Sequence, residues 1–371
     1  MSNLRTTPES LSAPPPAFDL GRLQQFMPRV LGDFSAATTM LACAVGDRVG
    51  LFEELRSAGP STADQLAGRS GIDVRWLRQW LATLAAAGYL EYQPEGGLFS
   101  IPPEHHALLA DQGGGMTLAG GLELLLGFAG AAHEIVRSIR AGRGVPQSAY
   151  EPHVQAGMDR MSAPWFETLL VQQWLPAVPG LPERLRAGMR VADVGCGSGR
   201  ALIALAKAFP RSTFWGYDVF PPALARAQAN LAAAGLAGRV EVAELDVAEG
   251  MPGRFDLITS FNSLHDFRDQ TAGLKAIRES LMREGLYLIL ESACSDKLEE
   301  NLNPLGAMLY GTSFLYSTPV SLANGGCGAG AILAETGLLE LCRAAGLRAR
   351  RLPTTNPMHA LYEARPWEAT K

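Results

Sequence analysis

The sequence predicts an α/β chain in which a doubly wound, mostly parallel sheet of seven strands follows a smaller winged-helix domain. Three observations carry that expectation. An apolar strand, a glycine-rich turn and an amphipathic helix succeed one another between Val191 and Phe209. Strands and helices then alternate as far as Glu363, and upstream two helices and a hairpin lie between Thr62 and Ile101. Such alternation gives a parallel sheet covered by helices, with ligands at the carboxyl ends of its strands.

Length and composition agree. Domains run to roughly 100–200 residues, so 371 residues hold two domains and a connector. We divide the chain into a flexible Pro/Ser/Thr-rich tail (1–19), a winged-helix domain (20–110), a helical connector (111–180) and a ligand-binding α/β domain (181–371). The tail lacks the apolar run of a secretory signal. Residues 118–132 contain Glu123 and fall short of the ~20 residues a bilayer requires, so a buried helix is expected. A formal net charge of -5 and a pI near 5.8 oppose a role in neutralising nucleic-acid phosphates. Cys43, Cys196, Cys294, Cys327 and Cys342 form no C-x-x-C pair, which fits a reducing cytoplasm. His105 and His106 are adjacent, lack a spaced third ligand and read as loop or cap, so no metal is expected.

In the N-terminal half, Met40, Leu41, Ala44, Val45 and Val49 recur at helical spacing and predict a core helix. Thr62 and Gln65 form a capping box, and Gly71 closes that short helix. The next helix, 73–87, places Val74, Leu77, Leu81 and Leu84 on one face and Arg75, Arg78 and Gln79 on another. Residues 90–92 and 98–101 flank the turn Pro94-Glu95-Gly96-Gly97 as a hairpin. Two arginines and an acidic hairpin tip are a poor DNA-reading surface; a module that pairs two subunits suits them better. From Gly113 to Leu181 further helices are expected, broken by a loop over 142–150.

The chemistry is concentrated after residue 190. Asp193 precedes Gly195-Cys196-Gly197-Ser198-Gly199, and Ala201, Leu202, Leu205 and Phe209 continue at helical spacing. Glycines let the backbone approach a ligand, and the helix start offers free N–H groups. A dinucleotide fingerprint would place glycine or alanine where Arg200 stands, which argues against a nicotinamide cofactor. The second strand ends at Asp218, about 20 residues on, where a carboxylate can accept from both hydroxyls of a ribose. A helix from Pro221 to Gly235 leads to a third strand, 240–245, which ends before Asp246 and Val247. A fourth, 255–261, runs into Asn262-Ser263-Leu264-His265-Asp266 and a helix through Ala272, Ile277 and Leu281. A fifth, 286–291, ends at Glu291; a helix with Leu338, Leu341 and Cys342, then strands over 347–352 and 358–363, complete the sheet.

The G-x-G-x-G spacing behind Asp193 resembles the first motif of class I S-adenosylmethionine-dependent methyltransferases. With the winged helix and Leu264-His265-Asp266-Phe267, the chain resembles small-molecule O-methyltransferases of plant and bacterial secondary metabolism. Asn301-Leu302-Asn303-Pro304 and the run Ser321-Leu322-Ala323-Asn324-Gly325-Gly326 are similar to a bacterial branch of winged-helix methyltransferases. The resemblance implies a Rossmann-like sheet closed by one antiparallel strand, S-adenosylmethionine as cofactor, and a small-molecule acceptor methylated on oxygen, nitrogen or carbon. It also implies a homodimer paired through the N-terminal domain, with neither membrane nor nucleic acid as partner.

Carried onto this sequence, the donor contacts are Gly195, Cys196, Gly197 and Gly199, then Asp218 with Val219 at the ribose, Asp246 with Val247 at adenine, and Asn262. His265 matches the family's base and Glu291 one of two acids that orient it. The second acid is missing from its expected stretch, 325–334. Methyl transfer is an in-line displacement in which positioning alone can supply much of the rate, so a dedicated base is not obligatory. Met158, Trp165, Tyr310, Phe314 and Tyr316 have the soft or flat side chains that suit a planar acceptor. The competing reading is a winged-helix regulator that binds S-adenosylmethionine without catalysis, suggested by the missing acid.

Overall fold

The computed structural model describes residues 17–110 and 117–367. The expected tail therefore lies outside the described residues except for Ala17, Phe18 and Asp19, as does Gly113. Asp19 caps the first helix, α1 (Leu20–Arg48), accepting the Arg22 N–H at 3.1 Å. The core helix expected around Met40 is only the end of this element. Thr39, Cys43, Ala44 and Gly46 are buried, but Leu41, Val45 and Val49 face outward, which corrects their assignment to the core.

Next come α2 (Leu51–Ala58), α3 (Ala63–Ser70), α4 (Val74–Ala86), the hairpin β1 (Glu91–Gln93) and β2 (Leu98–Ser100), and α5 (Pro103–Leu109). The capping box forms in both directions, and Gly71 ends α3 in the left-handed region. Leu51, Phe52, Leu55, Leu66, Leu77, Leu81 and Leu84 make the core of this winged helix. His105 and His106 are not loop residues but lie inside α5. His105 Nδ1 donates to the Tyr89 carbonyl at 2.9 Å, and the buried His106 sits 3.3 Å from Glu53.

Helix α6 (Ala119–Ala141) outruns the apolar stretch that announced it and is long and apolar enough to cross a membrane by length and composition alone. Half of its most apolar window is buried in the protein. Its Glu123 is also buried, accepting from Arg48 of α1 at 2.5 Å. Helix α7 (His153–Trp165) packs on α6 backbone to backbone: a Cβ on Gly157 would lie 2.6 Å from the Gly120 carbonyl, and one on Gly120 2.5 Å from that of Gly157. It continues into a π-helical segment, Phe166–Trp174.

The α/β domain holds β3 (Arg190–Val194), β4 (Thr213–Asp218), β5 (Val240–Glu244), β6 (Phe255–Phe261), β7 (Leu281–Ser292), β8 (Leu347–Leu352) and β9 (His359–Pro366). Their order is β5-β4-β3-β6-β7-β9-β8, with β9 antiparallel to both neighbours and the remaining pairings parallel. Helices α8 (Leu181–Ala187), α9 (Arg200–Ala208), α10 (Pro221–Ala233), α11 (Gln270–Ser280), α12 (Pro304–Thr312), α13 (Thr318–Ala323) and α14 (Glu335–Ala344) surround it. Leu281, expected on the last turn of α11, instead opens β7 opposite Phe255. Strand order reverses between β3 and β6, which opens a crevice at their carboxyl ends.

Candidate active site

The crevice is built on the turn between β3 and α9. The Gly195 and Cys196 N–H groups both donate to the Tyr217 carbonyl, at 2.7 and 3.0 Å. Gly195 has φ 71°, and a Cβ there would lie 2.4 Å from that of Ser263, so only glycine fits. Ser263 in turn donates to the Val194 carbonyl at 2.8 Å. Asp218, at the end of β4, is oriented by two backbone donors: Gly197 N–H reaches Oδ2 at 2.8 Å and Phe220 N–H reaches Oδ1 at 2.9 Å. Burial nevertheless pushes its pKa above the ordinary carboxylate value. Val219 beside it is exposed.

Two further groups set the electrostatics. Asp193 is buried, accepts Thr259 Oγ1 at 2.6 Å, and has its pKa pushed up to about 7, first by burial and further by the Asp218 charge. Burial likewise keeps the Cys196 thiol protonated. At the end of β5, Asp246 accepts Ala248 N–H at 2.9 Å and Arg268 Nε at 2.7 Å, while Val247 is buried. Asn262 follows β6 with φ 52°, a left-handed conformation uncommon outside glycine. Its Oδ1 is buried without a hydrogen-bond partner among the described residues, as expected where a ligand group completes the site.

His265 occupies a short turn behind Asn262. Glu291, almost fully buried, accepts Leu264 N–H through Oε1 at 3.0 Å and stands 2.6 Å from His265 Nδ1 through Oε2. On the other side of the ring, Asp266 Oδ2 lies 3.4 Å from Nε2. A second acid is therefore present, from the adjacent residue rather than from the 325–334 stretch. Gly325, Gly326 and Cys327 instead line an outer groove with Arg268, Asp269 and Gln270. Burial works to strip the proton from His265, but the Asp266 and Glu291 carboxylates outweigh it and its pKa is pushed up to about 10. The ring is an imidazolium at neutral pH.

The five acceptor candidates do not form one wall. Tyr316 is buried, accepts from Gln147 Nε2 at 3.0 Å and meets Tyr150 edge-on at 5.0 Å; Met158 packs against the same cluster. Burial raises the Tyr316 pKa, and the Asp266 and Asp218 charges add to it, so its hydroxyl stays protonated. Trp165 lies apart, edge-on to the buried His359 at 4.5 Å. Tyr310 accepts from Asn301 at 3.3 Å on the surface, and Phe314 is exposed. Gln147 and Glu151 escaped the sequence reading, since no motif marks them. Glu151 Oε1 is buried without a partner among the described residues, and burial raises its pKa.

A family profile described as "Methyltransferase domain" matches residues 192–287, and one described as "Rv2258c-like winged HTH domain" matches residues 36–111. The fold is shared with the mitomycin 7-O-methyltransferase MmcR at a TM-score of 0.71 and 21% identity, covering 94% of this chain and 100% of that one. CalO1, a methyltransferase in calicheamicin biosynthesis solved with S-adenosylhomocysteine bound, aligns at 0.67 and 22%, covering 94% and 100%. NcsB1, an O-methyltransferase from neocarzinostatin biosynthesis, aligns at 0.59 and 23%, covering 89% and 96%. Among curated proteins, polyketide synthase ThaQ of Burkholderia thailandensis is 34% identical over 108 residues, 28% of this chain and 5% of that protein. Ribosomal RNA small subunit methyltransferase C of Sodalis glossinidius is 42% identical over 96 residues, 26% of each. The chain thus spans about a quarter or far less of the length of these curated relatives.

Proposed function

Because the chain joins a winged-helix domain to a methyltransferase domain, we propose that it transfers the methyl group of S-adenosylmethionine to a small, flat acceptor in secondary metabolism. The observation that carries this reading is Asp218. Its carboxylate is aimed by Gly197 and Phe220 and keeps lone pairs for two ribose hydroxyls, beside a turn where only glycine fits. Gly195, Cys196, Gly197 and Gly199 would border the amino-acid part of the donor, Val219 the ribose, and Asp246 with Val247 the adenine. The unpartnered Asn262 Oδ1 suits an ammonium donor. The Asp218 carboxylate, joined by Asp193 once it ionises, gives the crevice the sign a sulfonium requires.

On the acceptor side, Met158 and Tyr316, which share one apolar cluster with Tyr150, are the candidates that best suit a flat acceptor. With His265 already protonated between two acids, rate enhancement rests on orientation and exclusion of water rather than on proton removal by that ring. The test is a calorimetric titration with S-adenosylmethionine and S-adenosylhomocysteine, followed by a screen of aromatic acceptors for donor-dependent methylated product. Absence of binding by both ligands would overturn the reading.

A pH dependence follows from Asp193. Its raised pKa means that the ligand-free crevice carries a proton that a cationic donor expels. Donor affinity should therefore rise from pH 6 to 7.5 as Asp193 ionises near 7. A flat profile, or an Asp193→Asn variant with the same slope, would refute this.

The same domains support a homodimer. The first half of α1 stands clear of the body, with Leu20, Leu23, Met27, Val30 and Phe34 spaced three or four apart and all exposed. A stripe of that length calls for a partner surface, and a second α1 supplies one. On α4, Arg75 and Arg78 are paired with Asp73 and Asp64, which favours subunit pairing over DNA reading. Each apolar side chain buried there would contribute about 1.5–3 kcal/mol, counted twice by symmetry. Leu23→Glu with Val30→Glu should halve the mass seen in sedimentation; an unchanged mass would exclude α1 as the interface. The free cysteines suit a cytoplasmic location.

A further inference from the structure

Asp159 of α7 reaches the glycine turn from outside the sheet domain. Its Oδ1 accepts the Ser198 hydroxyl at 2.5 Å and Arg200 Nε at 2.6 Å, and its Oδ2 accepts Arg200 Nη2 at 2.7 Å. From the other side Asn230 Nδ2 donates to the Ser198 carbonyl at 3.0 Å. Burial opposes a charge on Asp159, yet Arg200 and Ser198 outweigh it and hold the carboxyl below its ordinary value. The following residue, Arg160, grips Asp47 of α1 at 2.7 and 3.2 Å. A groove of about 620 Å³, lined by Ala163, Glu167, Arg200, Lys207 and Asn230 among others, runs alongside, between α7 with its π-helical extension and α9 and α10.

Arg200 is the first residue of α9, where the helix dipole is positive and a second positive charge is unfavourable. A guanidinium left unpaired there would also repel a ligand carrying a sulfonium and an ammonium group. Building on the methyltransferase reading, we propose that Asp159 is a positioning and charge-setting residue for the donor: it fixes Ser198 and Arg200 at the end of the glycine turn and neutralises Arg200. It thereby keeps the crevice receptive to the positively charged donor as well as to its neutral thioether product.

Asp159→Asn separates charge from shape, because the amide retains an acceptor for Ser198. Calorimetry on the full-length protein should show S-adenosylmethionine weakened about tenfold, the scale of one unit charge in a half-buried site, and S-adenosylhomocysteine weakened clearly less. Adding Arg200→Gln, which removes the exposed guanidinium, should restore the ratio of the two affinities. Asp47→Asn, at the opposite side of α7, should leave that ratio unchanged. A purely structural role predicts equal losses for both ligands; equal losses, or none, would overturn the proposal. Should the parent protein bind neither ligand, the methyltransferase reading itself fails and this inference with it. If the parent binds both and the ratio in Asp159→Asn does not move, only the role of Asp159 falls.

Discussion

Asp218→Ala should weaken S-adenosylhomocysteine binding at least ~100-fold in calorimetric titration. Hydrogen bonds to a charged acceptor are worth about 1.5–3 kcal/mol each, and two to a ribose diol give about 3 kcal/mol or more. Two backbone donors already aim the carboxylate, so little ordering remains to be done when the ligand arrives. The substitution also strips partners from the Gly197 and Phe220 N–H groups, so part of the loss reflects a loosened turn. Asp218→Asn distinguishes the contributions: it preserves the side-chain size and one acceptor oxygen, and its loss should be intermediate. A melting curve shows whether each variant is folded. If folded Asp218→Ala binds within threefold of the parent, the ribose contact is wrong and the proposed donor site is misplaced.

His265→Ala should lower the free energy of unfolding at pH 7 by about 3–5 kcal/mol, the usual penalty for removing one member of a buried ion pair. Glu291 is 1% exposed and would lose the cation 2.6 Å away, and Asp266 would lose its counter-charge. The sign of the pH dependence follows from the direction of the shift. The imidazole pKa rises from 6.5 in its ordinary state to about 10 in the fold. The native state therefore holds the proton more tightly than the unfolded chain. Stabilisation is complete below about pH 6.5 and drains away as pH climbs toward 10. Urea denaturation of parent and variant should give curves that converge over that interval. The same protonation predicts that kcat of the parent at saturating donor, where ionisation of Asp193 no longer limits binding, shows no acid limb near the ordinary histidine pKa. A limb centred there and removed by His265→Ala would mean that the ring works as a base after all.

The sheet was legible because each strand and helix carries its own local pattern: alternation in β5, capping proline at Pro221, glycines at the turn after β3. The boundary between α11 and β7 was misread because Leu281 satisfies both a helical spacing and a strand opening, and only pairing with Phe255 decides between them. Asp266 was overlooked as the second acid because the expectation was tied to a distant stretch rather than to the next residue. Asp159 gave no signal, since its partners lie 39 and 41 positions away and a single acid on an amphipathic helix is ordinary. The acceptor candidates were chosen by side-chain type, and type does not say which way a residue faces: Phe314 points outward while Tyr316 is buried two positions later. Likewise, Leu41, Val45 and Val49 at the end of α1 looked like core when read without their neighbours.

The closing hairpin also sets a clock. β9 lies between β7 and β8, and β8 joins the sheet only through β9. During synthesis the ribosome completes β7 at Ser292 but does not deliver β9 until Pro366. At about 5–20 residues per second that is a wait of about 4–15 seconds. Throughout it, the free edge of β7 stands open, with Leu286, Leu288 and Leu290 awaiting part of their cover. A nascent chain in that condition is a natural client for a holding chaperone, and slow codons within the intervening segment would prolong its exposure.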